Sequence, residues 1–249
     1  MSANWSREEL ILAFNLYCKI PFGKIHTRTP QILELSKVLG RTPSAVSWKL
    51  ANFARLDPAL RARKVRGATH GAKSEELIWN EFNGDWNRLA FESEQLLTRF
   101  SMDHLTAEVT RFPEGTSRET TVLVRVNQAF FRSAVLAAYN GKCCITGINL
   151  TSLLIASHIV PWRIDETNRT NPRNGLCLNA LHDRAFDAGF LTVTPDFRVK
   201  VSARISRSKD NALREFVGKF AECRIAMPDR FLPAREFLEY HNRNVFVGD

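Results

Sequence analysis

The apolar pattern in the second half of the chain predicts a short hairpin followed by a helix. A run rich in leucine and isoleucine at 152–159 stops before a proline, which cannot continue a strand ladder, so this run predicts a strand. An Asn-Gly step at 174–175 indicates a tight turn before a second brief apolar run at 176–178. Helix-forming residues at 180–188 then stop at Gly189. The order strand, loop, strand, helix is typical of a ββα finger.

The first half of the chain has the pattern of successive helices. Ser6 and Glu9 have the spacing of a capping box, which predicts the start of a first helix. Apolar positions predict a second helix over 30–39 and, beyond Gly40, a third over 42–53. A helix, a glycine-containing turn and another helix of this length form a helix-turn-helix pattern. Its third helix is expected to expose Ser44, Ser47, Lys49 and Asn52.

The remaining patterns complete the domain map. Residues 73–100 are expected to be mostly helical, and 112–120 have the composition of a linker. A helix is predicted over 128–139, followed after the finger by a strand pair and a C-terminal helix. The expected fold class is therefore α+β. The predicted segments are a basic helical head at 1–72, a helical connector and linker at 73–120, and a ββα domain at 121–249.

Length and composition favour two modest hydrophobic cores. The chain has 249 residues, of which 44% are hydrophobic, and this is enough for two domains. No segment has the apolar length that crosses a bilayer, so no membrane partner is expected. The five cysteines include no C-x-x-C pair, which makes a structural zinc knuckle improbable. The odd cysteine count and the lack of an apolar leader indicate a reduced, cytoplasmic protein.

The positive charge of the chain is confined to one stretch. The formal net charge is +9. Residues 19–73 contain twelve lysines and arginines but only two acidic residues, a surplus of ten positive charges, so the rest of the chain sums to −1. A basic stretch of this kind is typical of a surface that binds a polyanion, and nucleic acid is the obvious candidate.

Two histidines and an asparagine of the predicted finger are candidates for hydrolytic chemistry. Phosphodiester hydrolysis requires an activated water, a cation beside the scissile phosphate and rigid placement of both. His158 can accept the proton of water because imidazole titrates near neutral pH. His182 can ligate a divalent metal when neutral, and Asn174 can either ligate it or orient the loop that carries His158. Alternatively, each histidine is a satisfied polar residue of a small core.

The motifs A-S-H-I-V-P-W and N-G-L-C-L-N-A-L-H-D-R-A-F-D-A-G resemble those of the HNH endonuclease superfamily, specifically its bacterial restriction-like subgroup. This resemblance implies a ββα-metal nuclease domain in which His158 is the general base. It also implies that Asn174 is the motif asparagine and His182 the final metal-binding histidine. Many HNH enzymes have Asp or His as a metal ligand immediately before the general base, and this chain has Ser157 there.

Two carboxylates of the predicted helix are further candidates for the metal site. Asp183 and Asp187 are four residues apart and share one helix face. Asp187 is expected to be a ligand or a partner of a ligand, and the alternatives are helix capping or a salt bridge with Arg184. The expected cofactor is a divalent metal, with Mg²⁺ favoured over Mn²⁺, Ni²⁺ or Zn²⁺.

The segment L-S-K-V-L-G-R-T-P-S-A-V-S-W-K-L-A-N-F resembles the three-helix DNA-binding heads of the homeodomain and Myb type. The resemblance implies that the third helix enters the major groove, whereas a dimerisation bundle or a plain solvated face are the alternatives. The residues expected to face the groove are Arg41, Ser44, Ser47, Lys49 and Asn52. The residues expected to meet phosphates are Arg61, Arg63, Lys64 and Arg66, and further DNA contacts are expected at Arg169 and Arg173.

These observations predict a metal-dependent DNA endonuclease of restriction or defence type. Double-stranded DNA is the expected partner, and a homodimer is expected because one active site cleaves one strand. The principal alternative is a nonenzymatic DNA-binding regulator with a degenerate finger, which is favoured if Ser157 means that the metal site is lost. An RNA-directed nuclease or a toxin-like effector is a third class.

Overall fold

The computed structural model describes residues 4–63, 73–104 and 116–248. The chain divides into two compact units, 1–134 and 135–249. No helix in the described part of the chain is both long enough and apolar enough to cross a membrane. Each unit contains one of the two predicted regions, the helical head or the ββα finger.

The first unit is helical. Its helices are α1 (Arg7–Lys19), α2 (Pro30–Val38), α3 (Pro43–Ala54), α4 (Pro58–Ala62), α5 (Lys73–Phe82), α6 (Trp86–His104) and the first part of α7 (Thr116–Ala138). The predicted capping box at the start of α1 is confirmed, because Ser6 and Glu9 satisfy each other's backbone amides. Gly40 separates α2 from α3 with φ +61, a backbone conformation that favours glycine.

An aromatic cluster explains why four of these helices pack together. Phe14 on α1 lies 4.9 Å from Phe53 and 5.3 Å from Trp79 between ring centroids, and Trp86 lies at 6.3 Å. Such pairs contribute beyond the apolar area that they bury. Because Trp79 and Trp86 belong to α5 and α6, the segment predicted as a connector supplies part of the head's core. The first unit accordingly extends well beyond residue 72.

The predicted linker differs from the structure at its C-terminal end. Residues 112–115 lie outside the described residues, but α7 begins at Thr116 and includes 116–120. From Thr116 to Ala138 no glycine or proline interrupts the sequence, so the helix continues to the Asn-Gly step at 140–141. The helix predicted over 128–139 is thus the second half of a longer one.

The second unit contains two small antiparallel sheets and short helices. Its elements after α7 are β1 (Leu154–His158), β2 (Gly175–Asn179), α8 (Ala180–Asp187), β3 (Leu191–Val193), β4 (Val199–Val201), α9 (Ala203–Ser206), α10 (Asn211–Phe216) and α11 (Arg235–Asn244). β1 pairs with β2 from Leu154 opposite Asn179 to His158 opposite Gly175. β3 pairs with β4. The strand, loop, strand, helix order predicted from the sequence is confirmed.

α8 follows β2 directly and packs against both strands of the hairpin. It begins at Asn179, whose side-chain oxygen accepts the His182 backbone N–H at 3.0 Å. It ends before Gly189, which has φ +74. A methyl group at Gly189 would lie 2.1 Å from the carbonyl oxygen of Val245, so this position has no room for a side chain. The helix that carries the candidate residues is therefore fixed at both ends.

Candidate active site

His158 lies at the C-terminal end of β1 with its ring orientation fixed. Its Nε2 is 2.9 Å from the backbone carbonyl oxygen of Arg169, and its ring meets Trp162 edge-on at 5.4 Å. A carbonyl only accepts, so Nε2 carries the hydrogen and Nδ1 carries the lone pair. Burial lowers the pKa of His158 below its usual value, so the ring is neutral at neutral pH. A neutral imidazole with its lone pair on Nδ1 is equipped to accept a proton there.

Asn174 fixes the chain that leaves β1. Its Oδ1 accepts the backbone N–H of Val160 at 2.8 Å, and its Nδ2 donates to the carbonyls of Val160 and Asn168 at 3.3 Å each. The side chain is buried, with 1% of its surface exposed. Both the oxygen and the nitrogen of the Asn174 side-chain amide are therefore hydrogen-bonded to backbone groups. Of the two roles expected for Asn174, this geometry fits orientation of the loop after His158.

Arg169 and Arg173 differ in the number of contacts that their side chains make. The Nε of Arg169 donates to the Trp162 carbonyl at 2.9 Å, and its Nη2 pairs with Glu166 at 2.9 Å. Its guanidinium also lies 5.0 Å from the centre of the Trp162 ring. Arg173 is exposed and makes one long contact, 3.4 Å, to the carbonyl of Leu232. Arg169 is thus committed to the loop beside His158, and Arg173 is the more accessible of the two cations.

Ser157, Asp183 and Asp187 form a polar cluster where α8 meets β1. The buried Ser157 hydroxyl interacts with the Asp183 carboxylate, although without the geometry of a fully formed hydrogen bond. Burial raises the pKa of Asp183, and the Ser157 hydroxyl partly offsets this. The pKa of Asp187 is also raised, by loss of water and then by repulsion from Asp183. Two carboxylates whose charges repel one another are the kind of group that a cation stabilises.

His182 points to a different part of the unit. Its Nε2 donates to the carbonyl of Phe216 at 2.7 Å, and its Nδ1 lies 3.3 Å from the Asn179 amide nitrogen. Its side chain also hydrogen-bonds the Cys143 thiol. Burial raises the pKa of this thiol, but hydrogen bonds from His182 and Thr146 outweigh burial and lower it to about 6. His182 is 1% exposed.

The expectation that His182 ligates a catalytic metal does not agree with this geometry. Both ring nitrogens are engaged with protein groups, and neither contacts Ser157 or Asp183. The reason is helical: consecutive residues point about 100° apart, so a side chain next to Asp183 faces another surface. The motif spacing alone does not indicate whether His182 or Asp183 faces β1. A stronger signal was the i, i+4 pair Asp183 and Asp187, because both members must share a face.

The side chains where α8 meets β1 offer oxygen donors to a divalent cation. No group of three or more His, Cys, Asp or Glu side chains that could hold a metal occurs in 4–63, 73–104 or 116–248. Mg²⁺, however, is usually held by one or two carboxylates, with waters and substrate phosphates completing its octahedron. Asp183, Asp187 and the Ser157 hydroxyl supply oxygen donors of this type. The cluster fits Mg²⁺ or Mn²⁺ better than Zn²⁺, which prefers nitrogen and sulfur ligands.

In the first unit, three predicted groove residues are engaged within the protein. Arg41 forms a two-pronged ion pair with Glu9, with Nε to Oε1 at 2.7 Å and Nη2 to Oε2 at 2.8 Å. Lys49 and Asn52 both contact the Oε1 of Glu75, at 2.6 and 2.9 Å. The expected exposure of Asn52 is wrong, because Glu75 on α5 is fully buried and draws the amide inward.

The other predicted DNA contacts of the head lie on its surface or outside the described residues. Ser44 is exposed and Ser47 is half-buried on α3. Arg61 and Arg63 are exposed at the end of α4. Lys64 and Arg66 lie outside the described residues. The groove candidates that remain accessible are therefore the two serines.

The segment that contains the hairpin and α8 is similar to a known family. Residues 143–194 match the model of a family described as HNH endonuclease. The matched segment includes His158, Asn174, His182 and both carboxylates of α8, and it confirms the resemblance at the level of the superfamily. It also supports nuclease activity for this domain. The chain matches no curated protein.

Proposed function

We propose that this protein is a metal-dependent DNA endonuclease in which His158 is the general base. The observation that carries the proposal is the state of the His158 ring. Its Nε2 donates to the Arg169 carbonyl and burial keeps the ring neutral, so Nδ1 carries the lone pair that can accept a proton. The match of residues 143–194 to HNH endonucleases supports the reaction class. Asn174 serves this base by holding the chain immediately after it.

The metal is proposed to lie against α8 at Asp183 and Asp187, with Ser157 beside them. A divalent cation held there would stabilise negative charge on the scissile phosphate and its leaving oxygen. The two carboxylates would fix the position of the site relative to β1, because α8 packs on that strand. The raised pKa of both carboxyl groups supports the assignment, since a cation removes the repulsion that disfavours their ionised forms. Mg²⁺ or Mn²⁺ is favoured by the oxygen donors.

The head is proposed to bind double-stranded DNA through a helix-turn-helix formed by α2 and α3. The surplus of ten positive charges in residues 19–73 supports a polyanionic partner. Ser44 and Ser47 are the groove contacts that the surface leaves accessible, and Arg61 and Arg63 are suited to phosphates. Arg41 and Lys49 are held by carboxylates and would contact DNA only after those pairs open. Restriction or defence is the proposed biological setting.

The test is cleavage of a supercoiled plasmid by the full chain, with and without base modification. Mg²⁺, Mn²⁺, Ni²⁺ and Zn²⁺ are supplied separately, and we expect cleavage with Mg²⁺ or Mn²⁺. Nicked circles indicate one active site working alone, whereas linear product at the first cut indicates the proposed homodimer. The His158→Ala variant should lose about 10²–10⁴-fold in rate while its DNA affinity stays unchanged, because it removes only the general base.

Two results would contradict the proposal. Full cleavage by His158→Ala would remove the histidine from the reaction. DNA binding without cleavage by the parent protein, in any of the four metals and on both kinds of DNA, would favour the DNA-binding regulator instead. A mock preparation of a His158→Ala, Asp183→Asn double variant controls for contaminating nucleases.

A further inference from the structure

A polar cavity of about 560 Å³ lies in the first unit, beside α3, α4 and α5. Its lining residues are Arg55, Leu56, Arg61, Glu76, Trp79 and Asn80. The volume is within the range of small-molecule sites, roughly 300–1,000 Å³. Two arginines and one glutamate give the lining a net positive charge. Of these lining residues, only Arg61 has a part in the proposed function, as a contact to DNA phosphates.

Arg55 has a pair of hydrogen-bond donors without a partner. Its Nη1 donates to the Glu76 Oε1 at 2.9 Å. Its Nε and Nη2 are buried and have no hydrogen-bond partner in the described part of the chain. Together these two nitrogens form one edge of the planar guanidinium, whose parallel N–H groups bind both oxygens of a carboxylate or phosphate. Unpaired buried donors are costly, so a guanidinium that turned this edge toward the cavity would be stabilised by an anion there.

Glu76 holds the Arg55 guanidinium from its other side, at Nη1. Its side chain is 48% exposed, whereas that of Arg55 is 20% exposed. An ion pair with such an exposed partner contributes little to stability, so the carboxylate can move into solvent at small cost. When it moves, the guanidinium can turn toward the cavity. The Glu76 carboxylate therefore pairs with Arg55 as a bound anion would.

Arg61 supplies a second cation on a rigid turn. The helix α4 that carries it is capped by Asp57, whose carboxylate accepts the Ala59 N–H at 2.9 Å and the Tyr17 hydroxyl at 3.0 Å. Asp57 is buried, so these bonds fix the start of the helix. The Arg61 side chain forms no ion pair or hydrogen bond with the described residues, and it is exposed. It is available to share an anion with Arg55.

We propose that this cavity is a phosphate-binding site in which Arg55 and Arg61 hold one phosphate group and Glu76 pairs with Arg55 in its absence. Phosphate is favoured because its oxygens can accept from two guanidinium groups at once. Asn80 adds an amide at the wall of the cavity, and Trp79 closes its floor with 7% of its surface exposed. The phosphate can belong to a free nucleotide or to the backbone of duplex DNA.

The test measures binding by the full chain to three probes: inorganic phosphate, adenosine 5′-monophosphate against adenosine, and an uncleaved duplex oligonucleotide without metal. Arg55→Gln should weaken phosphate-dependent binding about tenfold or more, because a charge-assisted bidentate contact is lost. Arg55→Lys keeps the charge but not the two parallel donors, and it should also weaken binding. Glu76→Gln should tighten binding about threefold to tenfold, because it removes a competing carboxylate.

The matched control is the exposed pair Arg235 and Glu239 of α11, which are 2.8 Å apart. Arg235→Gln and Glu239→Gln make the same charge changes far from the cavity in sequence, and they should leave all three affinities unchanged. Dependence of nucleotide binding on Arg55 would identify a small-ligand site. If Arg55→Gln weakens binding of the duplex alone, the site contacts a backbone phosphate. In that case the slope of log affinity against log salt concentration should become shallower by about one.

The proposal is overturned if Glu76→Gln tightens no probe beyond the control pair. This variant changes an exposed side chain and is expected to fold even if Arg55→Gln does not. Thermal unfolding of each variant separates loss of binding from loss of structure. A weakening by Glu76→Gln would equally overturn the proposal, because it would make the carboxylate part of the binding surface.

Discussion

His182 and Asp183 are neighbours on α8, yet their side chains meet different surroundings. His182 is buried, with its ring held by the Phe216 carbonyl and the side chains of Asn179 and Cys143. Asp183 is half-buried beside Ser157, and its pKa is raised because its charge is poorly stabilised. The ring nitrogens of His182 have hydrogen-bond partners, whereas the charge of Asp183 is poorly stabilised. A half-buried carboxylate with a raised pKa is the stronger indication of chemistry.

A second imidazole belongs with His182 on the buried side of the helix. His241 on α11 stacks on Phe186 of α8, with 3.7 Å between ring centroids, and its Nδ1 lies 2.8 Å from the Thr192 hydroxyl. Three histidines of the second unit therefore divide into one at the end of β1 and two within the core. The comparison predicts that carboxylates, and not core imidazoles, hold the metal.

The largest expected effect is on cleavage by Asp183→Asn. Removing a metal-binding carboxylate should lower the rate about 10²-fold or more at a fixed Mg²⁺ concentration, and more Mg²⁺ should restore part of it. The unfolding temperature should not fall, because the substitution removes a partly desolvated charge. Plasmid cleavage over a Mg²⁺ titration measures the rate, and calorimetric unfolding measures the stability.

Glu236→Gln is the matched control for that substitution. Glu236 is an exposed carboxylate in the first turn of α11, so its removal should change neither rate nor stability. Asp183→Asn with an unchanged rate and unchanged Mg²⁺ requirement would end the proposal that α8 holds the cation through its carboxylates.

The next effect is on the pH dependence of stability, and it concerns His241. Burial lowers the pKa of His241 to about 4, against 6.5 in an unfolded chain. The native ring is neutral, so as pH falls from 6.5 toward 4 the unfolded state binds a proton that the native state does not. The free energy of unfolding should therefore fall by up to roughly 3 kcal/mol from this residue alone.

His241→Gln isolates that contribution. It should be less stable than the parent at pH 7.5, because it loses the stack on Phe186. Its further loss between pH 6.5 and 4 should be smaller than that of the parent. Urea unfolding at several pH values measures both, and equal losses in the two proteins would show that His241 is accessible to protons in the native state.

Local rules predicted much of the fold from the sequence. The capping box of α1, the start of β2 at the Asn-Gly step and the stop of α8 at Gly189 each depend on residues within a few positions of one another. The partners of Lys49 and Asn52 were not predictable in this way. Both contact Glu75, which lies more than twenty positions further along the chain, and helix periodicity does not encode that pairing.

The candidate site shows the same division between local and tertiary information. His158 at the end of a strand and the shared face of Asp183 and Asp187 follow from periodicities of two and of 3.6 residues. The assignment of His182 required knowing what lies above the other face of α8. Phe216 supplies that partner from α10, thirty-four positions away, and no local pattern indicates it.

The smallest expected effect, and the one that decides the comparison, is that of His182→Gln. The Phe216 carbonyl would lose its side-chain partner and the Cys143 thiol one of its partners, and an unsatisfied buried group costs about 1–3 kcal/mol. The variant should therefore unfold at lower urea, while the cleavage rate per folded molecule and the Mg²⁺ requirement stay close to those of the parent. Cleavage below the unfolding transition, normalised to the folded fraction, measures this. A variant of normal stability that needs far more Mg²⁺ would instead identify His182 as a ligand, and the carboxylates of α8 would then be accessory to it.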